Sequence, residues 1–190
     1  MNKLVDFFKS KNKKEVIYLY NNTFPHDETV NILYLLYLLI IGKADYFSVE
    51  EDGKLIGLVY NVRNDSLVYL FYLIVKKEYR QMGYGSKILK LIKEYYGDKP
   101  ITLTIESPYK EDAENIDERK KRLKFYEKNG YVLLNEKVID WGIEYELLST
   151  DKKVTKDSFF KLMRNTYFYL YFYRVYNKNG NMSKYLFRKK

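Results

Sequence analysis

Leu67-Val68-Tyr69-Leu70-Phe71-Tyr72-Leu73-Ile74-Val75, followed after four intervening residues by Arg80-Gln81-Met82-Gly83-Tyr84-Gly85-Ser86, decides the reading of this 190-residue chain. The first run is apolar or aromatic throughout, as expected of a central strand buried on both faces. The second carries two glycines and opens a stretch in which Ile88, Leu89, Leu91 and Ile92 alternate at helical spacing with Lys87, Lys90 and Lys93. A strand that ends in a glycine-containing turn and starts a helix gathers several free N–H groups at the positive end of the helix dipole. Gly83 and Gly85 also lack the Cβ atoms that would hold a phosphate off the backbone. The segment therefore predicts a phosphate-bearing ligand, while a plain helix start is the alternative use of the same glycines.

Working outward, the hydrophobic period switches repeatedly between strand and helix. Residues 4–8 read as a first strand and Glu15–Tyr20 as a helix stopped by Asn21-Asn22 and Pro25. Asp27-Glu28-Thr29 supply acids for the first turn of a second helix that runs to Leu39 and is closed by Gly42. Tyr46–Glu50 and Leu55–Val62 read as strands joined by a hairpin at Glu51-Asp52-Gly53. The helix after Gly83 is broken by Gly97-Asp98-Lys99-Pro100, and Ile101–Glu106 follows as another strand. Acidic residues between 111 and 118 precede basic residues 119–124, the order a helix dipole favours, and Gly130 is placed as its C-terminal cap. Tyr131–Val138 and Glu144–Leu148 form a closing strand pair around Trp141-Gly142, and Phe159–Tyr176 is read as a helix with Phe160, Met163, Tyr167 and Leu170 on one face.

The charge is distributed unevenly. Residues 1–150 hold 23 basic and 23 acidic side chains, whereas residues 151–190 hold 11 basic and 2 acidic ones. A global nucleic-acid reading therefore has no support from the body of the chain. The absence of cysteine excludes disulfides, thiolate metal sites and a cysteine nucleophile. His26 is the only histidine, so no metal site is expected. The longest apolar run, Ile32–Ile41, is far shorter than the roughly 20 residues of a membrane-spanning helix, and the first residues lack signal-peptide character. A cytoplasmic protein, monomeric or homodimeric, is expected.

Arg80-Gln81-Met82-Gly83-Tyr84-Gly85 fits the pattern Q/R-x-x-G-x-G/A, and Phe125-Tyr126-Glu127-Lys128-Asn129-Gly130-Tyr131 fits Y-x-x-x-G-F/Y. At these residues the chain resembles the GNAT superfamily of acetyl-CoA-dependent N-acetyltransferases. The resemblance extends in element order over residues 4–148, with its specific motifs between 67 and 131. It implies an α/β (α+β) fold with a mixed, twisted central sheet and helices on both faces. Residues 1–150 would form the acetyltransferase domain and 151–190 a basic, aromatic, helical extension packed on it.

The resemblance also assigns a site. Acetyl-CoA would insert its pantetheine arm between two splayed parallel strands, here Leu67–Val75 and Ile101–Glu106. Backbone groups of Leu73, Ile74 and Val75 would pair with the pantetheine amides, and a neighbouring N–H such as that of Ile74 would meet the oxyanion. Arg80, Gln81, Met82, Gly83, Tyr84, Gly85 and Ser86 would hold the pyrophosphate. Tyr126 matches the family's proton donor to the departing thiolate, a role that suits a phenol of ordinary pKa roughly 10; simple packing is its other reading. Glu106 is the candidate base, because the position where many relatives carry a carboxylate aligns with Phe71, which has no acid–base chemistry. Glu106 could equally hold a substrate ammonium or pair with a lysine. Arg119 and Arg122 face CoA phosphates or solvent, and the acidic stretch 111–118 is either solvated or an attractor for a cationic acceptor.

The implied reaction is acetyl transfer to a primary amine of a small molecule or peptide within a ternary complex. A non-catalytic acyl-CoA-binding module is one alternative. Another is a protein that binds RNA or anionic membrane through its basic aromatic tail.

Overall fold

The structure, a computed structural model, describes residues 2–23, 30–110, 113–140, 143–164 and 166. Seven strands form one sheet in the order β1-β2-β3-β4-β5-β7-β6. They are β1 (Lys3–Asp6), β2 (Ala44–Glu51), β3 (Lys54–Arg63), β4 (Val68–Val75), β5 (Ile101–Glu106), β6 (Val132–Asp140) and β7 (Ile143–Ser149). The helices are α1 (Lys13–Thr23), α2 (Ile32–Ile40), α3 (Tyr84–Tyr96), α4 (Ile116–Lys128) and α5 (residues 156–164). Among the described residues no helix is long and apolar enough to cross a membrane.

Local chemistry explains most of these boundaries. Asp52 and Gly53 both have positive φ, 51° and 79°, as a two-residue turn between twisted antiparallel strands requires. α2 starts later than its acidic approach predicts. Asn31 caps it, its side chain accepting the Leu33 N–H at 2.8 Å, while Asp27-Glu28-Thr29 lie outside the described residues. α1 runs through Asn21 and Asn22 to Thr23, with the Asn22 amide and the Thr23 hydroxyl both donating to carbonyls one turn back. α4 closes in a Schellman arrangement in which Gly130 N–H donates to Glu127 O and Tyr131 N–H to Tyr126 O.

Both faces of the sheet are covered. On one, Val16 and Tyr20 of α1, Leu35 and Leu38 of α2, and Phe159, Leu162 and Met163 of α5 bury against Tyr46, Tyr60, Tyr72 and Leu147. On the other, Ile88, Leu89 and Ile92 of α3, with Leu123, Phe125 and Tyr126 of α4, cover Val59, Leu70, Leu103 and Ile105. α5 overlaps the start of the helix read over Phe159–Tyr176, of which residue 165 and residues 167–176 lie outside the described residues; its buried face is Phe159, Leu162 and Met163, whereas Phe160 is exposed. Lys93 departs from the lysine stripe of α3, since its ammonium donates to the Asn129 carbonyl at 2.8 Å and ties α3 to the end of α4.

Candidate active site

β4 and β5 are the parallel pair at the centre of the sheet, and only Val68↔Ile101 and Tyr69↔Thr102 are in register. Beyond that point β4 stays paired with β3 as far as Val75, and β5 stays paired with β7 as far as Glu106. The two strands therefore diverge and leave a wedge. Its origin is a bulge. Tyr72 pairs with Tyr60 and Leu70 with Asn61, so Phe71 is an extra residue on β4, and the strand bends there. At the narrow end Tyr69 and Thr104 join hydroxyls across the gap at 2.8 Å.

The bulge also sets which backbone groups line the wedge. Lys76 N–H donates to Ile56 O at 2.9 Å, so the ladder turns the amide groups of Ile74 toward β3 as well. Leu73 and Val75 consequently direct theirs into the wedge. This corrects the expectation for Ile74, whose N–H is engaged in the sheet and is not available to a pantetheine amide or an oxyanion.

The wide end of the wedge lies beside the turn into α3. Gln81 and Gly83 have φ of 63° and 80°, which bends the chain sharply before Tyr84. The first N–H of this turn with a main-chain acceptor is that of Lys87, on Gly83 O at 3.2 Å. The amides from Gln81 to Ser86 therefore remain as donors at a helix N-terminus, the pattern that receives anions. Arg80 is exposed and folds back so that Nε donates to Val75 O at 3.1 Å.

The side chains of this turn divide. Gln81 and Met82 are exposed, whereas Tyr84 is buried, its hydroxyl donating to Glu51 at 2.6 Å and its ring meeting Tyr79. That hydrogen bond raises the Tyr84 pKa and anchors the helix start. Tyr84 thus offers the site only its amide. Gly85 also differs from expectation, because a Cβ there would lie 3.0 Å from the Phe125 ring. Its missing side chain admits α4; Gly83, with positive φ and open space beside it, is the glycine of the anion turn.

Tyr126 lies on α4 with its ring against Phe125 and Tyr131, at centroid distances of 5.1 and 5.6 Å. Burial of the phenol pushes its pKa up to about 12, opposed by the Arg122 guanidinium one turn earlier. The group therefore keeps its proton through neutral and moderately alkaline pH.

Glu106 ends β5 at the mouth of the wedge, but it is not free. Arg119 Nη2 lies 2.9 Å from one carboxylate oxygen and Arg122 Nη1 3.4 Å from the other. Arg119 is further fixed by donating to Asn115 Oδ1 at 2.7 Å and to Ser107 O at 3.3 Å. Both carboxylate oxygens are engaged by guanidiniums and neither is left free to face an amine, so the general-base role does not fit this geometry. For Arg119 the pair replaces the readings as a phosphate ligand or a solvated charge, whereas Arg122 remains an exposed charge that also reaches Glu106. Spacing could not show this clamp, since Glu106 and Arg119 meet only through the fold.

Parallel strands that part beside a helix N-terminus with free amides define an α/β domain suited to an extended, phosphate-bearing ligand. Residues 42–133 match the family model of the acetyltransferase (GNAT) domain, a span that contains the anion turn, both wedge strands and Tyr126. Residues 42–133 form a GNAT-type acetyltransferase domain.

Solved structures carry the same fold. A protein described as a GNAT-family acetyltransferase from Bacteroides thetaiotaomicron is 20% identical, with a TM-score of 0.69 over 88% of this chain and 95% of that one. An aminoglycoside 6'-N-acetyltransferase complexed with coenzyme A is 13% identical, with a TM-score of 0.61 over 83% and 99%. Naa50 from Arabidopsis thaliana, in complex with the bisubstrate analogue CoA-Ac-MVNAL, is 17% identical, with a TM-score of 0.58 over 79% and 98%. No curated protein matches the chain.

Proposed function

We propose that this protein transfers an acetyl group from acetyl-CoA to the primary amine of a small molecule or peptide by direct attack in a ternary complex. The observation that carries the reading is the wedge, where two paired positions give way to a stretch of β4 with no strand partner on that side, so that Leu73 and the Val75 N–H face the gap beside the α3 turn. A strand-like pantetheine amide chain fits between β4 and β5 as a missing ladder partner. Leu73 and Val75 would hold it there, with either N–H available to the thioester oxygen. The amides of Gln81, Met82, Gly83, Tyr84, Gly85 and Ser86, with the Arg80 guanidinium, would hold the pyrophosphate.

When bound, acetyl-CoA supplies the activated acetyl group. As the amine nitrogen bonds to the carbonyl carbon and the carbon–sulfur bond breaks, the nitrogen must lose a proton and the sulfur must gain one. Tyr126, protonated by virtue of its burial, is the donor to sulfur. With Glu106 clamped, the amine's proton leaves to water. Solved neighbours that hold an acetylated peptide analogue or act on an aminoglycoside support an amine acceptor of either kind.

The reading is tested by titrating the full chain with acetyl-CoA and CoA in a calorimeter and by following thiol release with amine acceptors. Tyr126→Phe is expected to bind CoA as wild type does and to lose about 10²- to 10⁴-fold in kcat. Unchanged turnover removes Tyr126 from the reaction. The clamped carboxylate favours the second reading, a non-catalytic acyl-CoA-binding module, and tight CoA binding without amine acetylation would establish it.

A further inference from the structure

Resting on the acetyl-transfer reading, we propose that the acceptor is a primary amine carried on an aromatic or bulky apolar body, and that Phe71 selects it. Phe71 is the bulged residue at which β4 turns away from β5, two positions before Leu73, whose backbone faces the wedge. Its ring lies 4.5 Å from Tyr72, 5.6 Å from Tyr69 and 6.3 Å from Tyr60. Those three rings are buried, whereas Phe71 is half-buried. It is therefore the member of an aromatic cluster that remains open to a ligand, on the sheet face covered by α1 and α2.

The carboxylates point the same way. Glu106 is held by Arg119 and Arg122, Glu144 pairs with Lys137 at 2.7 Å, and buried Glu146 accepts the Ser107 hydroxyl at 2.7 Å. Among the described residues of β5 and β7, no carboxylate is left open to hold a second ammonium. A polyamine or an aminoglycoside would bring several cations to strands whose carboxylates already have partners, which disfavours it. An amine with one positive charge and an apolar body instead covers the Phe71 ring and presents its nitrogen to the wedge.

The experiment measures kcat/KM by thiol release for phenethylamine, tryptamine, spermidine and kanamycin. It uses wild type, Phe71→Ala, Phe71→Leu and Phe71→Glu, each also titrated with acetyl-CoA as a check of folding and of the donor site. The aromatic amines are expected to exceed spermidine and kanamycin by about 10- to 100-fold. Phe71→Ala should erase most of that advantage through KM, Phe71→Leu should retain part of it, and Phe71→Glu should shift preference toward spermidine. Preference of the wild type for spermidine or kanamycin, or an unaltered ratio in Phe71→Ala, overturns the assignment. So does silence toward every amine in a protein that binds acetyl-CoA. Failure of the wild type to bind acetyl-CoA overturns the acetyl-transfer reading and this assignment together.

Discussion

Gly57→Ala is the substitution through which the wedge can be perturbed without touching a residue that lines it. Gly57 lies on β3 opposite Val75. An added Cβ would fall on the Ile74 carbonyl oxygen, inside any real contact distance, with the Ile74 carbonyl carbon at 3.1 Å and Val75 Cα at 3.2 Å. All three neighbours are backbone, so no rotamer change relieves the overlap. β3 is held on its other side by β2 along its length, whereas β4 has no partner beyond Tyr69 on the wedge side. β4 is therefore the strand that yields, and it yields into the wedge.

Overpacking of this kind costs about 1–3 kcal/mol, and the lower chain entropy of unfolded alanine returns about 0.4–1 kcal/mol of it. A net loss of about 1.3 kcal/mol corresponds to a fall in Tm of about 3–5 °C for a chain of this size. Displacement of Leu73 and Val75 should also cost about 10²-fold in kcat/KM for acetyl-CoA, the scale on which misplaced reacting groups act. Thermal and urea unfolding, paired with acetyl-CoA titration, make the measurement. An unchanged Tm with unchanged acetyl-CoA affinity would show that β4 is not constrained at this point and would refute the reasoning.

Two further outcomes are expected. Glu106→Gln should keep kcat within about tenfold of wild type while lowering Tm, because the residue positions Arg119 and does not accept the amine proton; a loss beyond about 10²-fold, as removal of a general base produces, would restore the base role. For pH dependence, a donor acts only while protonated, and Tyr126 with a pKa raised to about 12 stays so through pH 11. The kcat profile should therefore rise as the amine deprotonates and show no fall before about pH 11; a descending limb near pH 10 that disappears in Tyr126→Phe would contradict the buried phenol.

What was legible in the sequence follows the range of each interaction. The Asp52-Gly53 turn, the central strand and the α3 start are local patterns, and each lies where turn chemistry or periodicity put it. The wedge is not local. A run of apolar residues from Leu67 to Val75 carries no mark of the extra residue at Phe71, yet that residue bends the strand and exchanges the roles of Ile74 and its neighbours. Gly85 looked like part of an anion loop because glycine spacing does not show the Phe125 ring beside it. The clamp on Glu106 was hidden for the same reason, since both guanidiniums arrive from α4. Asn31 stood beside the run it caps, but the acids at Asp27 and Glu28 gave the stronger local signal.

The closure at the end of α4 has a consequence for the reaction rate. A last helical turn ordinarily frays, and a proton donor on it would have to be ordered again in each catalytic cycle. Here the Tyr126 carbonyl receives the Tyr131 amide, Gly130 takes the left-handed conformation at φ 79°, and Lys93 grips Asn129. The freedom of that turn is surrendered once, during folding, and does not recur as activation entropy. Amide hydrogen exchange at Gly130 and Tyr131 would then report directly on how well Tyr126 is preorganised for the donor role proposed for it.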